Sequence, residues 1–134
     1  MTVPEALSIR WIMTVHVRLI REFGGSLGVR EVGLIDSARL RPLTSFGGEL
    51  VYKTPFTRAG VFWLGLIRNH GFVDGNKRTA TATMARWLDL EGYRLRSGQD
   101  ELVEMAVAIA EQHVEVDQVA DWLAEHSTAI EPAS

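Results

Sequence analysis

Apolar residues recur at three- and four-residue spacing in one segment after another of this chain, with Gly and Pro standing between the segments. Ile12, Val15, Leu19, Ile20 and Phe23 make the first such stripe, and Gly24-Gly25 stops it. A short helix is predicted over Leu34 to Leu40, ended by Pro42. Thr54-Pro55 is a strong helix start, with Thr54 as cap and Pro55 at the first helical position. The helix it opens is predicted to run to about Asn69, with Phe56, Ala59, Trp63, Leu66 and Ile67 toward the core. Another is predicted from near Gly75 to Gly92, burying Ala80, Met84, Trp87 and Leu88. Two more are predicted over Asp100 to Gln112 and Asp117 to Glu125.

The pattern breaks at Thr44 to Lys53. Gly47-Gly48 followed by Glu49-Leu50-Val51-Tyr52 reads as a short hairpin or flap. Tyr93-Arg94-Leu95 reads as a brief extended piece, and Ser127 to Ser134 as a frayed, flexible C-terminal tail. The expected architecture is all-α: one compact helical bundle over residues 1–126, carrying a single β-hairpin flap.

With 134 residues the chain has the length of one domain and can bury a sufficient core without a staple. Cysteine is absent, which excludes disulfides and a thiol nucleophile and suits a reducing compartment. Met1 to Glu5 lacks a basic stretch followed by an apolar one, so no signal peptide is expected there. No apolar run reaches the length of a membrane helix. A cytoplasmic protein is expected. The net charge of −3 argues against direct nucleic-acid binding. Basic residues nevertheless gather locally, at Arg68, Lys77, Arg78 and Arg86.

Chemistry concentrates in Asn69-His70-Gly71-Phe72-Val73-Asp74-Gly75-Asn76-Lys77-Arg78-Thr79-Ala80, between two predicted helices. Asp74 is a plausible N-cap of the second. The N–H groups of Gly75, Asn76, Lys77 and Arg78 then lack helical partners and form an anion site, which Gly75 lets a phosphate approach closely. Lys77 and Arg78 oppose the helix dipole in its first turn, a conflict that a bound phosphate removes. Arg78 offers a fork to two phosphate oxygens and Lys77 a point charge. Asp74 supplies a hard oxygen ligand where Mg²⁺ is usually held beside phosphates. His70, an imidazole, suits a general base for an attacking hydroxyl. Phe72 reads as an apolar anchor for this loop.

Each of these residues alone has a plain structural reading, and only the combination points to function. His16, among Ile12, Val15, Leu19 and Ile20, reads as a hydrogen-bonded core or groove histidine. His113 and His126 read as solvated, and the four tryptophans as core. Acidic residues of the last third read as caps and solvated positions.

His-x-Phe-x-Asp-Gly-Asn-Lys-Arg resembles the signature of Fic proteins, in the form found in the death-on-curing (Doc) toxin branch. The resemblance runs from the first helix, through Arg21 to Gly25 and the flap, to Trp122. It implies His70 as base, Asp74 as Mg²⁺ ligand, Gly75 to Arg78 as anion hole, and ATP as the nucleotide. It assigns the flap, with Phe46, Gly47, Gly48, Leu50 and Val51, to docking of a protein target as an added strand. It also implies an antitoxin protein whose helix lies in a groove of the toxin. Two departures from the commoner Fic pattern stand out: Lys77 in place of Gly, and Thr81 in place of a second Arg. The common Fic activity is AMP transfer to a hydroxyl. The Doc-like form resembles instead a kinase acting on a threonine of elongation factor Tu, which would inhibit translation. AMP transfer from the same pocket, or an inactive phosphate-binding interaction module, remain alternatives. Ser127-x-x-x-Glu131 resembles the inhibitory helix motif of some Fic proteins, but Pro132 departs from it. Control by a separate antitoxin is therefore expected.

Overall fold

A computed structural model describes the chain from Pro4 to Glu131. The sequence expectations for Met1 to Val3 and for Pro132 to Ser134 lie outside the described residues. Among the described residues six helices carry the fold: α1 (Ile9–Phe23), α2 (Val32–Leu40), α3 (Pro55–Asn69), α4 (Asn76–Leu90), α5 (Gln99–Glu111) and α6 (Val116–Glu125). Four short strands join them: β1 (Ser45–Phe46), β2 (Glu49–Leu50), β3 (Tyr93–Leu95) and β4 (Ser127–Ala129). The fold is all-α with a hairpin, as the sequence predicts. Among the described residues no helix is long and apolar enough to cross a membrane.

Helix α3 is the axis of the bundle. Every residue from Arg58 to Ile67 is buried, so this helix is enclosed on all sides, with α2, α4, α5 and α6 around it. Thr54 caps it by accepting from Thr57 N–H, while Thr57 Oγ1 accepts in turn from Thr54 N–H. A close neighbour requires a small residue on it. A Cβ added at Gly65 would lie 3.1 Å from the Ala38 Cβ of α2, tighter than an ordinary contact. Trp63 and Trp87 lie wholly buried, whereas Trp11 and Trp122 are half-buried at the margin of the core.

The flap is a two-residue hairpin. Ser45 pairs with Leu50 and Phe46 with Glu49. Gly47 and Gly48, at φ +60° and +82°, make the turn, a backbone that other residues rarely adopt. Pro42 does not simply end α2; it is buried within a single 3-10 turn, Arg41–Leu43.

Two expectations change in the last third. Ser127 to Ala129 is not a frayed tail but strand β4, antiparallel to β3 with Tyr93 opposite Ala129 and Leu95 opposite Ser127. Ile130 N–H extends the pairing by donating to the Gly92 carbonyl at 2.8 Å. A three-residue strand has too short a pattern to show itself, and its partner lies far back in the chain. His126 is likewise no solvated side chain. It stacks on Trp122 at 4.1 Å, and its ring nitrogens meet the Trp122 carbonyl at 2.7 Å and Glu101 Oε2 at 3.0 Å. His113 is exposed, as the sequence suggests.

Candidate active site

The loop from His70 to Gly75 joins the central helix α3 to α4 and is stitched down at nearly every residue. Gly71 O accepts from Arg30 and Glu31 N–H, and Val73 N–H donates to Gly28 O. Gly71 leaves no room for a side chain, since a Cβ there would fall 2.4 Å from Ile35 Cγ1. Phe72 is the buried anchor that the sequence suggests, stacked on His16 with ring centroids 3.9 Å apart. Asn76 pairs with the Phe72 backbone as a strand neighbour would, Oδ1 accepting its N–H at 3.0 Å and Nδ2 donating to its carbonyl at 2.9 Å. The Asn76 side chain therefore locks the loop, and only its backbone N–H is left to face an anion.

Asp74 is not the N-cap of α4. Gly75 holds that position, at φ +76°, and no side chain caps the helix. The Asp74 carboxylate instead accepts from Gly75 N–H at 2.8 Å through Oδ1 and from Ser26 N–H at 3.1 Å through Oδ2. These two bonds, Ser26 first, hold its carboxyl below the usual carboxylate range against some desolvation, with lesser help from the Arg78 charge. The exposed carboxylate stays ionised and keeps lone pairs on both oxygens.

Gly75 N–H is thus engaged, which narrows the predicted anion hole. The first helical bond is Thr79 N–H to Gly75 O, leaving the N–H groups of Asn76, Lys77 and Arg78 without partners in the helix. Lys77 and Arg78 are exposed in this first turn, and no acidic residue offsets them there. Neither forms an ion pair within 4.0 Å among the described residues. Arg78 lies over the Phe23 ring, 4.8 Å from its centroid, at the end of α1. Phe23, the last residue of the first apolar stripe, is 58% exposed.

Asp74, Gly75, Asn76, Lys77 and Arg78 all line one cleft of about 760 Å³, continued by apolar residues of α1, α4 and α5. His70 is not among its lining residues. It caps α3 in the left-handed conformation, φ 51° and ψ 49°, the sole non-glycine residue with positive φ among the described residues. An exposed histidine thus holds a backbone position that favours glycine. The flap residues Phe46, Gly47, Gly48 and Val51 are exposed and Leu50 is half-buried.

A family model described as Fic/DOC family matches residues 6–88. The chain belongs to the Fic/DOC family. It is also similar to Toxin Doc of Mycolicibacterium smegmatis, with 35% identity over 109 residues, covering 80% of this chain and 84% of that protein.

In this Fic/DOC chain three features that hold the site or the neighbouring flap were not singled out by their residue types. Ser26 supplies a backbone N–H, which any residue could, so only the Gly24-Gly25 pair before it hints at a special backbone. His16 reads as a core histidine; its bond to the Asp74 carbonyl, 2.7 Å long, is a tertiary fact. Arg58 and Glu91 form a buried ion pair, and Arg58 also donates to the Tyr52 carbonyl at the foot of the flap. Both oppose the dipole of their own helix end, Arg58 near the start of α3 and Glu91 at the end of α4. That double exception was a legible signal.

Proposed function

We propose that this protein is the toxin of a toxin–antitoxin pair, a protein-modifying transferase that moves the γ-phosphate of ATP to a Thr or Ser hydroxyl. One observation carries the reading. Three free N–H groups at the start of α4, two unpaired cations and a hydrogen-bonded carboxylate converge on one cleft. Such an array stabilises the charge of a transferring phosphoryl group. His70 accepts the proton of the attacking hydroxyl as the new O–P bond forms. The bond from the γ-phosphorus to its bridging oxygen breaks, and ADP leaves.

Asp74 would hold Mg²⁺. An ionised, exposed carboxylate with lone pairs to spare fits an ion that takes one protein carboxylate and fills its shell with phosphates and water. When bound, that ion neutralises charge on the phosphate chain.

The γ-phosphate is favoured over AMP because the lining cations of the cleft are Lys77 and Arg78 alone, both at the helix start. Thr81, one turn further, is neutral, and its hydroxyl is engaged by Trp63 Nε1–H at 3.0 Å and by the Lys77 carbonyl at 2.7 Å. The most highly charged group of ATP matches the single cationic point.

The likeness to Toxin Doc supports an antitoxin partner. Leu19 and Phe23 of α1, Ala82 and Ala85 of α4, and Leu102 and Val103 of α5 line an apolar groove continuous with the anion site. A partner helix lying there would close access to the phosphates. The exposed flap would present a protein target of the translation machinery, for which elongation factor Tu is the first candidate, in the cytoplasm. ATP labelled separately at the α and γ positions, incubated with that acceptor and Mg²⁺, tests the reaction. Transfer of γ label alone, lost in His70→Ala, is the expected result. Transfer of α label would restore the AMP reading, and no transfer of either would favour an interaction module.

A further inference from the structure

We infer that His16 of α1 is a positioning residue for this site, acting through the Asp74–Gly75 peptide; the inference rests on the phosphoryl-transfer reading above. His16 is 2% exposed, on the same face of α1 as Ile12 and Ile20. A carbonyl can only accept, so in the 2.7 Å contact with the Asp74 oxygen Nε2 carries a proton and donates it. The ring is simultaneously stacked on Phe72, nearly parallel at 10°. One side chain thus grips the loop at two residues flanking Val73.

The consequences follow along the peptide bond. Its carbonyl end is held by His16, and its N–H end, on Gly75, donates to the carboxylate Oδ1 of Asp74. The peptide plane is rigid, so fixing the carbonyl fixes the direction of that N–H and with it the carboxylate. Ser26, on the turn that leaves α1, fixes the other carboxylate oxygen. Ile20, one turn after His16, closes the same spot sterically. A Cβ on Gly75 would lie 2.9 Å from Ile20 Cδ1 and one on Gly25 3.0 Å from it, and the latter would also crowd Asp74 Oδ2 at 2.8 Å. Gly75 is in turn the cap whose geometry aims the free N–H groups of Asn76, Lys77 and Arg78. Helix α1 therefore sets both the carboxylate and the anion hole, through His16 and Ile20, while Phe23 at its end meets Arg78.

Two substitutions separate this role from core filling. His16→Phe keeps an aromatic ring on Phe72 and removes the donor. His16→Gln removes the ring and keeps an N–H near the Nε2 position. Inorganic phosphate is the probe, titrated by calorimetry, with thermal unfolding as control. Loss of one orienting hydrogen bond should weaken phosphate binding about three- to tenfold in His16→Phe, and His16→Gln should restore it. Phosphate affinity of His16→Phe equal to wild type, or lost in His16→Gln and kept in His16→Phe, overturns the role. Should His16→Phe fail to fold, His16→Gln and His16→Leu decide. Retention in Gln with loss in Leu supports it, and equal affinity in both overturns it. A wild-type chain that binds no phosphate would overturn the anion site itself, and this role with it.

Discussion

Replacing Glu91 by Gln is expected to destabilise the fold severely while changing the shape of one side chain hardly at all. Glu91 sits just beyond α4, 3% exposed, and accepts four hydrogen bonds. Three come from Arg58, itself 5% exposed, at 3.2, 2.9 and 2.6 Å; the fourth comes from Trp87 Nε1 at 2.7 Å. All are donors, so the amide nitrogen of a glutamine must face a donor whichever way it turns. The substitution also leaves the Arg58 charge buried without its counter-charge, facing only neutral carbonyl acceptors such as that of Tyr52. Breaking a buried pair from one side costs about 3–5 kcal/mol. A chain of 134 residues has a total stability of about 7–20 kcal/mol and an unfolding entropy of about 0.28 kcal/mol/K. The melting temperature should accordingly fall by about 11–18 °C. Urea unfolding followed by circular dichroism measures the loss directly. The double variant Arg58→Met with Glu91→Leu removes both charges and should recover about 2 kcal/mol or more of it. A Glu91→Gln chain within about 1 kcal/mol of wild type would refute the assignment of this pair as a buried, coupled unit. So would a double variant as unstable as the two single losses added together.

His70→Gly should abolish transfer yet raise stability by about 1 kcal/mol, since glycine carries no penalty at φ 51°; a melting temperature below wild type would count against functional strain there. Phosphate at about 100 times its dissociation constant should stabilise the wild type by about 2.7 kcal/mol, near 10 °C in melting temperature, and Arg78→Ala should remove most of the effect in a thermal-shift series. His126 gives a pH dependence of fixed sign. The Trp122 carbonyl first, and then Glu101, raise its imidazole above the usual range. The protonated form therefore contributes stability that is full below about pH 6 and is lost as the pH rises through the raised folded value. His126→Phe should then destabilise more at pH 5.5 than at pH 9, as read by urea midpoints at the two pH values; equal losses would refute the charge contribution.

What the sequence determined by itself was periodic or local. The stripe on α1, the Thr54-Pro55 start of α3 and the Gly47-Gly48 turn each depend on residues a few positions apart, which is the range over which helix and turn preferences act. The anion site proposed at the start of α4 was legible for the same reason. Two cations in a first turn conflict with the helix dipole wherever the helix ends up. Tertiary structure decided what depends on distant partners. It moved the cap of α4 from Asp74 to Gly75, because the Asp74 carboxylate finds the Ser26 N–H, 48 residues away in the chain. It turned the expected tail at Ser127 to Ala129 into a strand, because β3 offers an open edge. It made His16 a support of the site, because α1 packs across the loop after α3 and brings Nε2 to a carbonyl 58 residues further on. Hydrogen bonds are directional and short in range, so their partners are fixed only when packing has placed the elements. Apolar burial is neither, and for that reason the helices could be read before the site they hold.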